Sequence, residues 1–248
     1  MPRDASLRAG PGSSIAMKIL VCDIGGTNVK ILASGEPERR KAPSGPEMTA
    51  ADMVRTVQEL AEGWSWDVVS IGFPGPVVHG RVMSEPSNLG PGWIAFDFEA
   101  AFGCPVRVVN DAAMQALGSY HGDRMLFMGL GTGLGTAMIV DGILQPMEAG
   151  HLPYKNKKTY EDYVGKRGYA ELGKKKWHSA VLDVITDFKR ALEPDYIVIG
   201  GGNAKKLKAE DLPEYCELGS NANAFTGGFR LWDDAAEEPP PTATATTH

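Results

Sequence analysis

Along the chain, short apolar runs closed by glycine turns alternate with stretches of helical period. KILVCDI, GGTN and VKILAS, residues 18–34, are two apolar runs about a Gly-Gly turn, which predicts a β-hairpin. Residues 50–61 place Met53, Val54, Val57, Leu60 and Ala61 on one helical face, and WDVVSIGF then predicts a strand ending at PGPV. PVRVVN predicts another strand and DAAMQALGSY a helix, so Asn110 and Asp111 fall where a strand ends and a helix begins.

The second half repeats this order. RMLFMGL, a glycine turn, TAMIV, the turn Asp141-Gly142 and ILQPM predict a second hairpin set. HSAVLDVITDFKRAL carries Val181, Val184, Ile185, Phe188, Ala191 and Leu192 at i, i+3, i+4, i+7 spacing, which predicts a helix with one buried face. DYIVIGGGNAKKL reads as strand, glycine turn and helix. Two related α/β lobes meeting at a cleft are therefore expected, 17–112 and 113–232, with flexible tails at 1–16 and 233–248.

The chain of 248 residues, 43% hydrophobic, is long enough to bury a real core. Three cysteines, Cys22, Cys104 and Cys216, without C-x-x-C spacing indicate neither a disulfide framework nor a structural zinc site, so a reduced cytoplasm is the expected compartment. The uncharged stretch MLFMGLGTGLGTAMIV is too short and too rich in glycine for a membrane span, and residues 1–16 lack the apolar segment of a secretory leader. A net charge of -6 argues against nonspecific nucleic-acid binding. Yet 155–176 holds eight Lys or Arg against three Asp or Glu, either a solvated basic face or the site of an anionic ligand.

In DIGGTNVK (23–30), Gly25 and Gly26 let backbone approach a ligand, Thr27 and Asn28 supply donors, and Asp23 could hold Mg²⁺ through water. An ordinary hairpin turn is the alternative. GLGTGLGT (129–136) is neither a dinucleotide fingerprint nor a Walker loop. Its glycines run G-x-G-x-G-x-G into a β-branched strand, and no Gly-Lys-Ser/Thr follows. What remains is a hairpin turn whose N–H groups and Thr132 or Thr136 hydroxyls bind a phosphoryl group. Asp111 then suits a base that takes the proton of an attacking hydroxyl, and equally suits a helix cap.

DIGGTNVK, GFPGPV, NDAAMQALGSY, GLGTGLGT, EAGH and GGGN, in this order across residues 17–232, resemble the ROK sugar kinases, whose fold is the two-lobed actin-like or hexokinase type. Within that family, HLPYKNKKTYEDYVGKRGYAELGKKKW and NANAFTGGFRLW are similar to segments of polyphosphate glucokinases. The resemblance implies transfer of a phosphoryl group from polyphosphate or ATP to the 6-hydroxyl of glucose with Mg²⁺, in a homodimer. It puts Asp23, Gly25, Gly26, Thr27 and Lys30 on the first phosphate motif and Thr132, Gly133 and Gly135 on the second. Asp111 falls on the catalytic base and also, with Asn110, Asn88, Glu148, His151 and Glu161, on the sugar contacts, and Gly200, Gly201 and Gly202 on the turn near the nucleotide.

The zinc-binding cysteine cluster of many ROK members is missing after His151, so no zinc is expected. Lys155, Lys157, Lys158, Lys166, Arg167, Lys174, Lys175 and Lys176 stand in its place as a possible path for polyphosphate. Three other readings stay open: a kinase of fructose, mannose or an N-acetylated sugar, a silent sugar-binding protein, and a ROK-type repressor. The 16 residues before Met17 are too few for the upstream DNA-binding module of such repressors.

Overall fold

The hairpin expected around Gly25 and Gly26 is formed by β1 (Ile19–Ile24) and β2 (Asn28–Ala33), antiparallel with Asp23 opposite Lys30. The computed structural model describes residues 17–220 and 222–233, so the expectations of flexible tails fall outside it except at residue 233. β3 (Arg40–Pro43) extends the hairpin, α1 (Ala50–Leu60) starts at a capping box between Thr49 and Asp52, and β4 (Val68–Phe73) runs parallel to β1. A two-residue hairpin, β5 (Val77–Val78) and β6 (Arg81–Val82), and the short α2 (Phe98–Phe102) precede β7 (Val106–Asn110), which pairs parallel with β4.

From β7 the chain passes directly into α3 (Asp111–Ser119). Then follow β8 (Arg124–Leu130), β9 (Leu134–Val140), β10 (Ile143–Met147), α4 (Tyr160–Val164), α5 (Lys166–Leu192), β11 (Tyr196–Gly200), β12 (Cys216–Leu218) and α6 (Asn223–Arg230). The two sheets have one plan. Their strand orders are β3-β2-β1-β4-β7 and β10-β9-β8-β11-β12, each an antiparallel meander continued by two parallel strands.

Alternation along the strands builds helix, sheet, helix, sheet and helix in layers. Leu20, Cys22 and Ile24 pack with Met53 and Val57 of α1, whereas Val21, on the other face, meets Met114 of α3 and Ala224 and Phe225 of α6. In the second sheet Leu126, Met128 and Leu130 pack with Val181, Val184 and Ile185 of α5, while Met125 and Phe127 meet Ala112, Ala113 and Ala116 of α3. Thus α3 and α6 lie between the sheets. A division of the chain at residue 112 separates the two sheets, but α6, from the second half, packs on the first.

Two elements differ from the sequence pattern. After β11 the expected helix is one 3-10 turn, Ala204–Lys206. The helix expected over 178–192 begins at Lys166 and is broken at Gly173, whose φ of 71° interrupts the hydrogen-bond ladder; Ala191, from the expected apolar stripe, is exposed. No helix among the described residues is long and apolar enough to cross a membrane.

Candidate active site

The glycine loop GLGTGLGT is the turn of the antiparallel β8–β9 hairpin. Gly129 and Gly135 are opposite each other in its ladder, and a Cβ on Gly135 would lie 2.7 Å from that of Ala112. Glycine at period two thus makes a bare floor on which the start of α3 rests, which brings Asp111 to the hairpin. Thr27 and Thr132 stand exposed at the tips of the equivalent hairpins β1–β2 and β8–β9. The hydroxyl of Thr136, weighed from the sequence as a phosphate ligand, is buried and bonded to Met147 and Ala149, so it does not take that role.

Two neighbouring side chains, Asn110 and Asp111, bond to the start of α3 at the β7–α3 junction. Asn110 caps the helix, its Oδ1 accepting from Ala112 N–H at 2.8 Å and Ala113 N–H at 3.3 Å, and its Nδ2 donates to the Gly75 carbonyl at 3.0 Å. Asp111, one residue on, uses Oδ1 to accept from Ala112 N–H at 2.7 Å. Burial, chiefly, and then the negative charge of Asp23 push the Asp111 carboxyl up to about 7, with Glu148 adding a smaller push.

Asp23 is held by Lys30, whose Nζ donates to Oδ2 at 2.7 Å. On the other side of Asp111, His151 lies 3.9 Å from Glu148 through Nδ1 and 3.7 Å from Glu161 through Nε2. Desolvation raises the Glu148 carboxyl; His151 opposes that rise and Glu161 adds to it. Glu161, from α4, also covers the second hairpin turn: a Cβ on Gly133 would overlap its carboxylate. At the first hairpin the Asn88 amide lies on Gly26, and its Oδ1 is buried with no hydrogen-bond partner among the described residues. The residues singled out from sequence therefore form one arc: Asp23 and Lys30, Asp111, Glu148, His151, Glu161 and the 131–133 turn.

The Gly200–Gly202 turn joins the far end of that arc. Gly201, at φ 81°, backs onto the Leu130 carbonyl. Asn203, the last residue of GGGN, donates from its backbone to Leu130 O at 2.8 Å and from Nδ2 to Gly131 O at 2.9 Å. Only the amide after three glycines hinted at this clamp. The backbone N–H of Lys166 reaches the same turn, at 3.1 Å from the carbonyls of Gly131 and Thr132.

The basic run is not uniform. Lys155 is paired with Asp183 at 3.0 Å, Lys158 with Glu171 at 2.8 Å, and Arg167 with Asp162 at 2.6 Å and Glu171 at 3.4 Å. Lys157, Lys166, Lys174, Lys175 and Lys176 make no ion pair among the described residues.

The model of the ROK family matches residues 19–168. The chain belongs to the ROK family. It is a ROK sugar kinase, a phosphotransferase. The polyphosphate glucokinase of Mycobacterium tuberculosis (strain H37Rv) is 27% identical over 222 residues, covering 79% of this chain and 82% of that one. Among solved structures, the inorganic polyphosphate/ATP-glucomannokinase of Arthrobacter sp. strain KM superposes with a TM-score of 0.73 at 24% identity, over 87% of this chain and 98% of that one. A ROK glucokinase from Streptomyces griseus, solved with glucose and AMPPNP, gives 0.66 at 18% identity, over 86% and 98%. The fold of this ROK chain is thus the two-lobed actin-like one.

Proposed function

We propose that this ROK kinase transfers a phosphoryl group to the 6-hydroxyl of glucose, from polyphosphate as well as from ATP. The observation that carries the reading is the raised carboxyl of Asp111, set between the phosphate hairpin and the Glu148–His151 pair. A base with a pKa near the working pH accepts a hydroxyl proton most effectively. As the sugar O–H bond breaks, its proton passes to Asp111. The freed oxygen bonds to phosphorus and the donor's P–O bond opens, with the N–H groups and hydroxyls of the Thr27 and Thr132 turns holding the phosphoryl oxygens.

Glu148, His151 and Glu161 offer a row of acceptors and an imidazole to ring hydroxyls, and the unpaired Oδ1 of Asn88 suits a further hydroxyl donor. The negative charge of Asp23 raises the Asp111 carboxyl and Lys30 pairs with Asp23, so the two carboxylates offer oxygen donors of the kind that suit Mg²⁺. Asp23 would hold that ion through water, and the ion would neutralise charge on the donor phosphates. Closure of the lobes would exclude water, which competes with the sugar as acceptor.

On the donor side, the free lysines are the better candidates for a polyanion track than Lys155, Lys158 and Arg167, whose charge is already matched. Lys166 is anchored beside the Thr132 turn. The experiment is an activity matrix of ATP, GTP and polyphosphate against glucose, mannose, fructose and N-acetylated hexoses, run on wild type and on Lys166→Glu combined with Lys174→Glu. The double variant should raise KM for polyphosphate by roughly tenfold, ~1.4 kcal/mol, and flatten its salt dependence, with a smaller change for ATP. Equal loss with both donors would refute the track, and an absence of glucose phosphorylation in the wild type would refute the reading itself.

A further inference from the structure

Three buried polar side chains stand out among the described residues, Ser70, Ser119 and Thr136, and each hydroxyl joins two elements. Ser70 donates to Gly228 O at 2.6 Å and accepts from the Trp232 indole at 2.9 Å; Ser119 donates to Gln115 O at 2.8 Å and accepts from the Asn223 amide at 2.9 Å. Both fasten the C-terminal segment to the rest of the fold. Thr136 does something else.

Its Oγ1 donates to Met147 O at 3.0 Å and accepts from Ala149 N–H at 3.0 Å. These two groups flank Glu148. In the ladder Thr136 is opposite Met147, the last rung of β10, after which the chain leaves the sheet and winds into a 3-10 turn over Ala149–His151. The hydroxyl therefore continues the ladder by one side-chain rung past the point where backbone pairing stops. Two neighbouring contacts complete the joint: His151 N–H donates to Glu148 O at 3.1 Å, and Gly150 sits so close on β9 that a Cβ would overlap the Leu134 carbonyl.

We propose that Thr136 is a positioning residue, which fixes the Glu148–His151 segment on the phosphate hairpin so that sugar-holding and phosphoryl-holding groups share one rigid frame. This rests on the reading of Glu148 and His151 as the sugar-holding pair. The role requires a group that donates and accepts at once in a buried site, which serine retains and valine, of nearly the same shape, lacks. In Thr136→Val the Met147 carbonyl and the Ala149 N–H lose their shared partner, and the segment carrying Glu148 is free to shift.

The test measures KM for glucose and for ATP, glucose affinity by calorimetry without donor, and the unfolding midpoint. Thr136→Val should weaken glucose binding and raise glucose KM by roughly tenfold, leave ATP KM within about twofold, and be rescued by Thr136→Ser. Ser119→Ala, which loses a buried hydroxyl that links α3 to α6, should lower the midpoint and leave glucose KM unchanged. If Thr136→Val does not fold, Thr136→Cys, a weaker donor and acceptor of similar size, should show the same split. A fall in stability with glucose KM unmoved, or equal changes for both substrates, would overturn the proposal. Glu148→Gln separates the two layers: if it too leaves glucose binding intact, the sugar-site reading fails. If it alone weakens binding, that reading stands and the positioning role falls.

Discussion

Asp111→Asn is expected to lower kcat by about 10² to 10⁴-fold while leaving the glucose dissociation constant within a few-fold of wild type. The substitution keeps the oxygen that accepts from Ala112 N–H and leaves the cap intact, because Asn110 supplies it. What it removes is the proposed proton acceptor. The same carboxyl predicts the pH profile. With its pKa raised from 3.8 to about 7, it is protonated and idle in mild acid, so wild-type kcat should climb as pH rises through about 7 and then level. Stability runs the other way. The folded state holds this proton more tightly than the unfolded chain, so the contribution is intact below about pH 4 and lost as pH rises to about 7. Freed of a buried charge, Asp111→Asn should unfold a few degrees above wild type at pH 8, and the advantage should vanish near pH 4. Pre-steady-state turnover and thermal unfolding at the two pH values check both arms. A variant that turns over normally would place the base elsewhere, and one no more stable at pH 8 would show that the carboxyl is not raised in the folded state.

The hairpins, α1, β4, β7 and α3 were legible because local signals agreed there: apolar runs, glycine turns and a polar junction all point one way. At the Asp141-Gly142 turn both residues have positive φ, at 51° and 79°, as a tight reversal requires. Long-range geometry was not legible. Composition counts Lys155 and Lys174 alike, yet only the fold puts Asp183 beside the first. Thr132 and Thr136 read as equivalent hydroxyls four residues apart, but the ladder sends one to the tip and the other inside. The helix after Gly202 failed because Asn203 is drawn back to Gly131, so the chain has only one turn before leaving. NAFTGGFR, with adjacent glycines, carries little helical propensity, and α6 forms there because α3 and the first sheet give it a place to pack.

That dependence on packing sets up a result in which local propensity and tertiary contact predict opposite signs. An alanine in a helix interior is better than glycine by about 0.5–1 kcal/mol, so on propensity alone Gly227→Ala should stabilise α6. The crossing of α3 and α6 says otherwise. A Cβ on Gly227 would overlap the Met114 carbonyl, and one on Gly118 would overlap the Asn223 carbonyl. Both obstacles are backbone, which cannot rotate away, so the helices must part and loosen Met114, Ala224 and Phe225 from Val21. Overpacking of this kind costs about 1–3 kcal/mol, and the lost burial of Met114 and Phe225 adds to it. The unfolding midpoint of Gly227→Ala should therefore fall by roughly 5–10 °C, whereas Thr226→Ala, on the exposed side of the same helix, should be neutral or slightly stabilising. Because α3 begins with Asp111, a displaced α3 also moves the proposed base against the β8–β9 hairpin. At temperatures where the variant is folded, kcat should drop by about tenfold or more with glucose KM little changed, since proton transfer tolerates less misplacement than binding does. A midpoint at or above wild type would show that the crossing yields without cost and that α6 is held by its own sequence.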